Sequence, residues 1–224
     1  MFQAVIFDFD GVILDSEPLH YEACSHVIKK LGLALSYPEY VDKYLGLSDK
    51  EMFPKLFSAR NFSFSMDEIN ALIEEKTKQY QEIIKQCDSL PMIDSVDRYI
   101  DYISQKIPKL AICSGSTRNE IMAVLTKFKH GKLQTYFDTI VTSEDIQQGK
   151  PSPEGYLLTA KRLNVSPSQC VVIEDTPHGV DAAKAAGMHA IALLTSYKKD
   201  QFQHADKIIS HFNQLILEEI TIEN

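Results

Sequence analysis

Apolar positions fall in two rhythms along this chain. One is a set of short continuous runs at residues 4–7, 110–113, 139–142, 170–173, 190–194 and 207–210. Runs of that length between polar residues read as buried strands. The other rhythm is helical. Leu19, Ala23, Val27 and Leu31 lie on one helix face that stops at Gly32, with Ser16 as N-cap and Pro18 in the first turn. A loop at Tyr37-Pro38 precedes short helices expected over 40–45 and 50–57. Ser65 and Glu68 form a capping box before a helix over 66–86, whose apolar stripe is Ile69, Leu72, Ile73, Tyr80, Ile83 and Ile84. Further helices are expected over 94–104, over 119–128, after Ser152 as N-cap with Pro153 at the first position, over 179–186, and beyond the last strand.

Between residues 17 and 86 no strand pattern occurs. Elsewhere strands and helices alternate, which implies an α/β fold with a mainly parallel sheet covered on both faces. An all-helical block is inserted just after the first strand. The α/β core is expected at residues 1–15 and 89–224, and the helical block at 16–88. Ligands of such sheets bind at the carboxyl ends of the strands. Here those ends carry Asp8 and Asp10, Ser114 and Ser116, and Glu174 and Asp175.

Composition narrows the function classes. The chain has 224 residues, 44% hydrophobic and 24% charged, enough for a soluble protein with a sizeable core. Its net charge of -8 argues against non-specific binding of nucleic acid or anionic membrane, so any anionic substrate must be drawn by local cations. The apolar runs are too short to span a bilayer, and no secretory signal pattern opens the chain. Cys24, Cys87, Cys113 and Cys170 are scattered without a paired motif, as in reduced thiols of a cytoplasmic protein.

The candidate chemistry starts at the first strand. Side chains at alternate extended positions point the same way, so Asp8 and Asp10 leave the strand end together. Two such carboxylates repel unless a cation or a proton intervenes. Asp8 could attack an electrophile and Asp10 could move a proton; the same Asp-x-Asp-Gly sequence is also an ordinary turn. Asp175 could join Asp8 as an oxygen ligand to a hard cation such as Mg²⁺, or cap the following helix, or both. Ser114 and Ser116 could donate to a phosphoryl oxygen, though Ser-Gly-Ser is common in loops. Lys150 could neutralise Asp8 and a transferring phosphoryl group, or be a solvated loop charge.

In this order the residues resemble the haloacid dehalogenase-like hydrolases, in the branch of phosphatases and β-phosphoglucomutase-like enzymes with a helical cap. Four motifs carry the resemblance: residues 7–17 around Asp8, residues 112–116 around Ser114, residues 149–156 around Lys150, and residues 172–188 around Glu174 and Asp175. The resemblance implies a Rossmann-like core with the helical block as cap. It implies Asp8 as the nucleophile that becomes an aspartyl phosphate and Asp10 as general acid and base. Mg²⁺ would be held by Asp8, Asp175 and the Asp10 main-chain carbonyl, supported by Glu174. Ser114 and Lys150 would hold the phosphoryl group. The second aspartate, Asp10, counts against the dehalogenase and phosphonate-cleaving branches.

The cap residues speak to substrate. His20 resembles a histidine that sugar-phosphate mutases use near the hinge, and Lys76 resembles a cap lysine that reaches substrate in those enzymes. Both are candidate substrate-binding residues, and each could instead be solvated. Residues 46–50 resemble a mutase loop that grips a second phosphate, but Asp49 stands where an arginine is usual, with Lys50 as a substitute. Arg118 could assist at the phosphate or lie on the surface. The missing arginine favours a phosphatase of a small sugar or polyol phosphate over a β-phosphoglucomutase-type enzyme. A catalytically silent binding protein would lack a nucleophile, acid or metal ligand, and none is missing. A small phosphorylated substrate is thus the expected partner, with neither nucleic acid nor membrane, and a monomer is expected, with a dimer as the alternative.

Overall fold

A computed structural model of the chain describes residues 2–217. Six strands, β1 (Ala4–Phe7), β2 (Lys109–Cys113), β3 (Thr139–Val141), β4 (Cys170–Glu174), β5 (His189–Leu193) and β6 (Lys207–Ile209), form one sheet in the order β3-β2-β1-β4-β5-β6. Every pairing is parallel. The first strand lies between β2 and β4, with Phe7 opposite both Ile112 and Ile173. The chain therefore reverses its direction across the sheet at β1. Helices diverge at such a switch point and leave a crevice beyond the strand ends. The residues that follow in register are Asp8, Cys113 and Glu174, so one end of three strands carries the candidate residues.

Alternation along β1 sends its side chains to opposite faces. Val5 and Phe7 join a core with Tyr99 and Ile100 of α5 (Val96–Ser104), Ile121 and Val124 of α6 (Arg118–Lys127), and Phe212 and Leu215. Ala4 and Ile6 join a second core with Tyr156 and Ala160 of α7 (Glu154–Leu163) and Val180 and Ala183 of α8 (Pro177–Ala185). All four β1 residues are buried, which explains why the run reads as continuously apolar.

Four helices, α1 (Glu17–Lys29), α2 (Tyr37–Lys43), α3 (Asp49–Ser58) and α4 (Met66–Gln86), lie between β1 and β2 and make the cap. They enclose a core of their own, including Ile28, Tyr44, Phe53, Leu56 and Ile69. The α4 stripe is divided between two neighbours. Ile69 and Ile73 face the cap core, while Tyr80 and Ile84 join the first sheet-face core. One long helix thus seats the cap on the sheet domain. No helix among the described residues is long and apolar enough to cross a membrane.

Several local expectations shift. Ser16 occupies the N-cap position of α1 without a side-chain capping bond, because its hydroxyl donates to Asp10 instead. Pro38 lies in the first turn of α2, capped by Ser36, rather than in a loop. Ser95 takes a left-handed conformation, φ 64°, so α5 begins at Val96. Pro153, not Ser152, is the N-cap position of α7, after a cis Lys150–Pro151 bond. A 3-10 segment, Phe128–Tyr136, had no signature in the apolar pattern. The C-terminal helix appears as α9 (Asn213–Leu217), and its continuation lies outside the described residues.

Candidate active site

The carboxyl ends of β1 and β4 bring Asp8, Glu174 and Asp175 together, each with an oxygen within 4.8 Å of the others. All three are buried, and Lys150 is the cation set against them. Its Nζ lies 2.7 Å from Asp8 Oδ1 and 2.5 Å from Glu174 Oε1. Burial alone would lower the lysine pKa, but these two carboxylates outweigh it and hold the value above the ordinary one. Three acids against one lysine leave a surplus of negative charge. Burial, then the Glu174 charge, pushes Asp8 up to about 8 despite Lys150. Asp175 is also raised, by burial and by Asp8 and Glu174.

A divalent cation would relieve that repulsion, and the residues fit one. Asp175 Oδ1 is buried without a hydrogen-bond partner, while Ser196 donates to its Oδ2. Thr176, not Asp175, caps α8, accepting from Gly179 N at 3.0 Å. Asp175 is thereby free of the capping role that the sequence left open. Oxygen-only donors on adjacent carboxylates suit a hard cation such as Mg²⁺. Two glycines make room for the cluster. A Cβ on Gly11, at φ +72°, would lie 1.9 Å from Asp175 Oδ2, and one on Gly179 would lie 1.9 Å from Glu174 Oε1. Tyr156 donates to that same Glu174 oxygen at 2.6 Å and fixes it.

Asp10 turns its side chain away from this cluster. Ser16 and His20 Nε2 bond Oδ1, the latter at 2.9 Å. Ser114 and Ser116 donate to Oδ2 at 3.2 and 2.6 Å. Burial raises the Asp10 pKa, but His20 and these hydroxyls outweigh it and hold the carboxyl well below its usual range. The two serines expected at a phosphoryl group thus converge on Asp10, beside Asp8.

His20 connects Asp10 to the cap. Lys76 Nζ lies 2.8 Å from His20 Nδ1. A lysine ammonium only donates, so Nδ1 accepts and the ring carries its proton on Nε2, aimed at Asp10. Against burial and Lys76, the charge of Asp10 raises the His20 pKa. Lys76 also donates to Asp49 Oδ2 at 2.9 Å and to Glu120 Oε1 at 2.8 Å. It is 2% exposed, so it is no solvated helix lysine.

His20, Lys76 and Ser116 line one pocket with Asp8, Asp10, Ser114, Lys150 and Asp175, and Glu17, Tyr40, Ser48 and Asp49 lie on its cap side. Two candidates lie elsewhere. Arg118 donates to Ile140 O at 3.1 Å and Asp145 at 3.0 Å and faces outward. It is drawn there by an acid from the loop after β3. Lys50 is exposed and borders a neighbouring groove, because helical geometry turns it away from its neighbour Asp49. Glu120 was missed. Its signature, Thr117-x-x-Glu120, is a capping box, and the structure has that box as well. Its other oxygen meets Lys76 from a distant helix, which no local pattern encodes. Ser16 was read only as a helix N-cap, and Ser196 was likewise missed.

The comparisons agree with this geometry. The sequence model of the family described as haloacid dehalogenase-like hydrolase matches residues 5–193, and the chain belongs to that family. It is 35% identical over 191 residues to a phosphorylated carbohydrates phosphatase of Thermotoga maritima, covering 84% of this chain and 83% of that protein. It is 31% identical over 191 residues to the fructose-1-phosphate phosphatase of Escherichia coli, covering 85% and 95%. Among solved structures, the β-phosphoglucomutase of Clostridium difficile superposes with a TM-score of 0.83 at 30% identity, covering 97% of this chain and 95% of that one. The protein is a phosphoric monoester hydrolase.

Proposed function

We propose that the protein is a Mg²⁺-dependent phosphatase of a small sugar or polyol phosphate, working through an aspartyl phosphate on Asp8. The observation that carries this reading is the Asp8 carboxylate held 2.7 Å from Lys150, at the mouth of the β1–β4 crevice, with Asp10 alongside. Asp8 attacks phosphorus and the ester P–O bond breaks. Asp10 protonates the departing alkoxide, then takes a proton from the water that cleaves the aspartyl phosphate. Asp10 accepts from four donors and so rests ionised; it must release those bonds and take up a proton from solvent before it can protonate the alkoxide. Lys150 and the freed Ser114 and Ser116 hydroxyls bind the phosphoryl oxygens. Asp8 and Asp175 would hold Mg²⁺, supported by Glu174 and the Asp10 main-chain carbonyl, where it would supply positive charge to the transferring group. Residues 16–88 act as the cap that excludes bulk water from the core at residues 1–15 and 89–224.

The sugar-phosphate phosphatases among the relatives support water as the acceptor, as does the pairing of Lys76 by acids. The competing reading is transfer to a second sugar hydroxyl, as in the β-phosphoglucomutase relative. Incubation with a sugar 1-phosphate and Mg²⁺ separates the two. Stoichiometric release of inorganic phosphate is expected; isomerised sugar phosphate without net release would replace this reading with the mutase one.

A further inference from the structure

The two ends of the pocket differ in charge. At the core end Lys150 faces the nucleophile. At the cap end the lining residues include three acids, Glu17, Asp49 and Glu51, and one lysine, Lys76. A lysine ammonium has three N–H donors. Those of Lys76 are directed to Asp49 Oδ2, Glu120 Oε1 and His20 Nδ1, at 2.9, 2.8 and 2.8 Å. It has no donor left for a substrate anion, and its charge is exceeded by the two carboxylates that hold it. The nearby hydroxyls are also committed: Tyr40 donates to Glu17 at 2.9 Å and Ser48 to Glu51 at 2.7 Å. Lys50 borders the neighbouring groove and is not among the lining residues here, and two more cap cations are bonded elsewhere. Arg60 bonds Glu39 and Ala34 O, and Lys55 bonds Lys43 O.

What this end offers a substrate is carboxylate lone pairs, which accept from hydroxyl groups and repel anions. Resting on the phosphatase reading above, we infer that Asp49 makes the cap end a charge filter. The substrates are phosphomonoesters whose remainder is uncharged and rich in hydroxyls, and esters bearing a second anion are rejected. Asp49 acts in two ways at once, occupying a Lys76 donor and adding negative charge. Specificity then comes from a repulsive element as much as from attractive contacts.

The test compares kcat/KM for fructose 1-phosphate and fructose 1,6-bisphosphate, with p-nitrophenyl phosphate as the reference ester, in the wild type and in Asp49→Asn. The wild type should prefer the monophosphate by at least about tenfold. The variant should narrow that preference by about tenfold, chiefly through a lower KM for the bisphosphate. Equal wild-type use of both sugars, or an unchanged ratio in a folded variant, would overturn the inference while p-nitrophenyl phosphate turnover left the phosphatase reading standing. No turnover of any ester would overturn both. The wild-type ratio decides the point by itself if Asp49→Asn does not fold.

Discussion

Lys76 of the cap and Glu120 of the core form an ion pair of 2.8 Å in which the side chains are 3% and 1% exposed. It joins α4 to α6, so the cap and the sheet domain meet through buried charge as well as through Tyr80 and Ile84. Removing one partner of a buried pair leaves an uncompensated charge. Glu120→Gln should destabilise the protein by about 3 kcal/mol, near the low end for such pairs because Asp49 still faces Lys76. Urea unfolding at neutral pH measures it; a change below about 0.5 kcal/mol would show that the pair carries no net stability.

Asp8 sets activity against stability. Its pKa is raised from 3.8 to about 8, so the folded protein resists ionising it within that window. The folded state then binds more protons than the unfolded state, and stability falls as pH rises from 3.8 towards about 8. Asn cannot ionise. In chelator-treated protein, Asp8→Asn should melt higher at pH 8 and show a shallower pH slope, while losing all turnover. Each kcal/mol gained appears as roughly 2–4 °C at this chain length. An unchanged melting temperature together with wild-type turnover would contradict both halves.

Metal binding should be read most directly at Asp175, whose Oδ1 is buried without a partner. Saturating Mg²⁺ at a hundred times its Kd should stabilise the wild type by about 2.7 kcal/mol. Asp175→Asn should lose most of that gain and, with it, Mg²⁺-dependent phosphate release. Calorimetric scans with and without Mg²⁺ check the first point independently of catalysis. A full Mg²⁺ shift in the variant would remove Asp175 from the ligand set.

Asp10→Asn separates acid catalysis from phosphoryl binding. Loss of a positioned proton donor typically lowers rate by about 10²–10⁴. The loss should be large for a sugar phosphate, whose alkoxide needs a proton, and much smaller for p-nitrophenyl phosphate, whose phenolate departs without one. Equal losses on both esters would assign Asp10 to another step.

Much of the molecule was legible in the chain. The strand runs were continuous because both faces of a parallel sheet are buried, and helix α4 announced itself through its stripe and Ser65 capping box. Asp8, Glu174 and Asp175 were readable because each ends or follows a strand, and the sheet aligns those ends; Lys150, in the loop before α7, was readable through the motif around it. Legibility failed where a side chain chose a distant partner over a local one. Ser16 left its cap for Asp10, and Arg118 turned to Asp145. Glu120 closes a local capping box with Thr117, yet its second oxygen holds Lys76.

The sequence by itself determined that Asp8 and Asp10 share the end of the first strand. Hydrophobic runs dictate the sheet, the sheet places strand ends side by side, and short-range order then places two acids two residues apart at that edge. Only the tertiary structure decided the character of the cap end. Lys76 reads as a free cation in any local window. Its charge is spent because Asp49, Glu120 and His20 arrive from three other helices, and burial makes each of those contacts count.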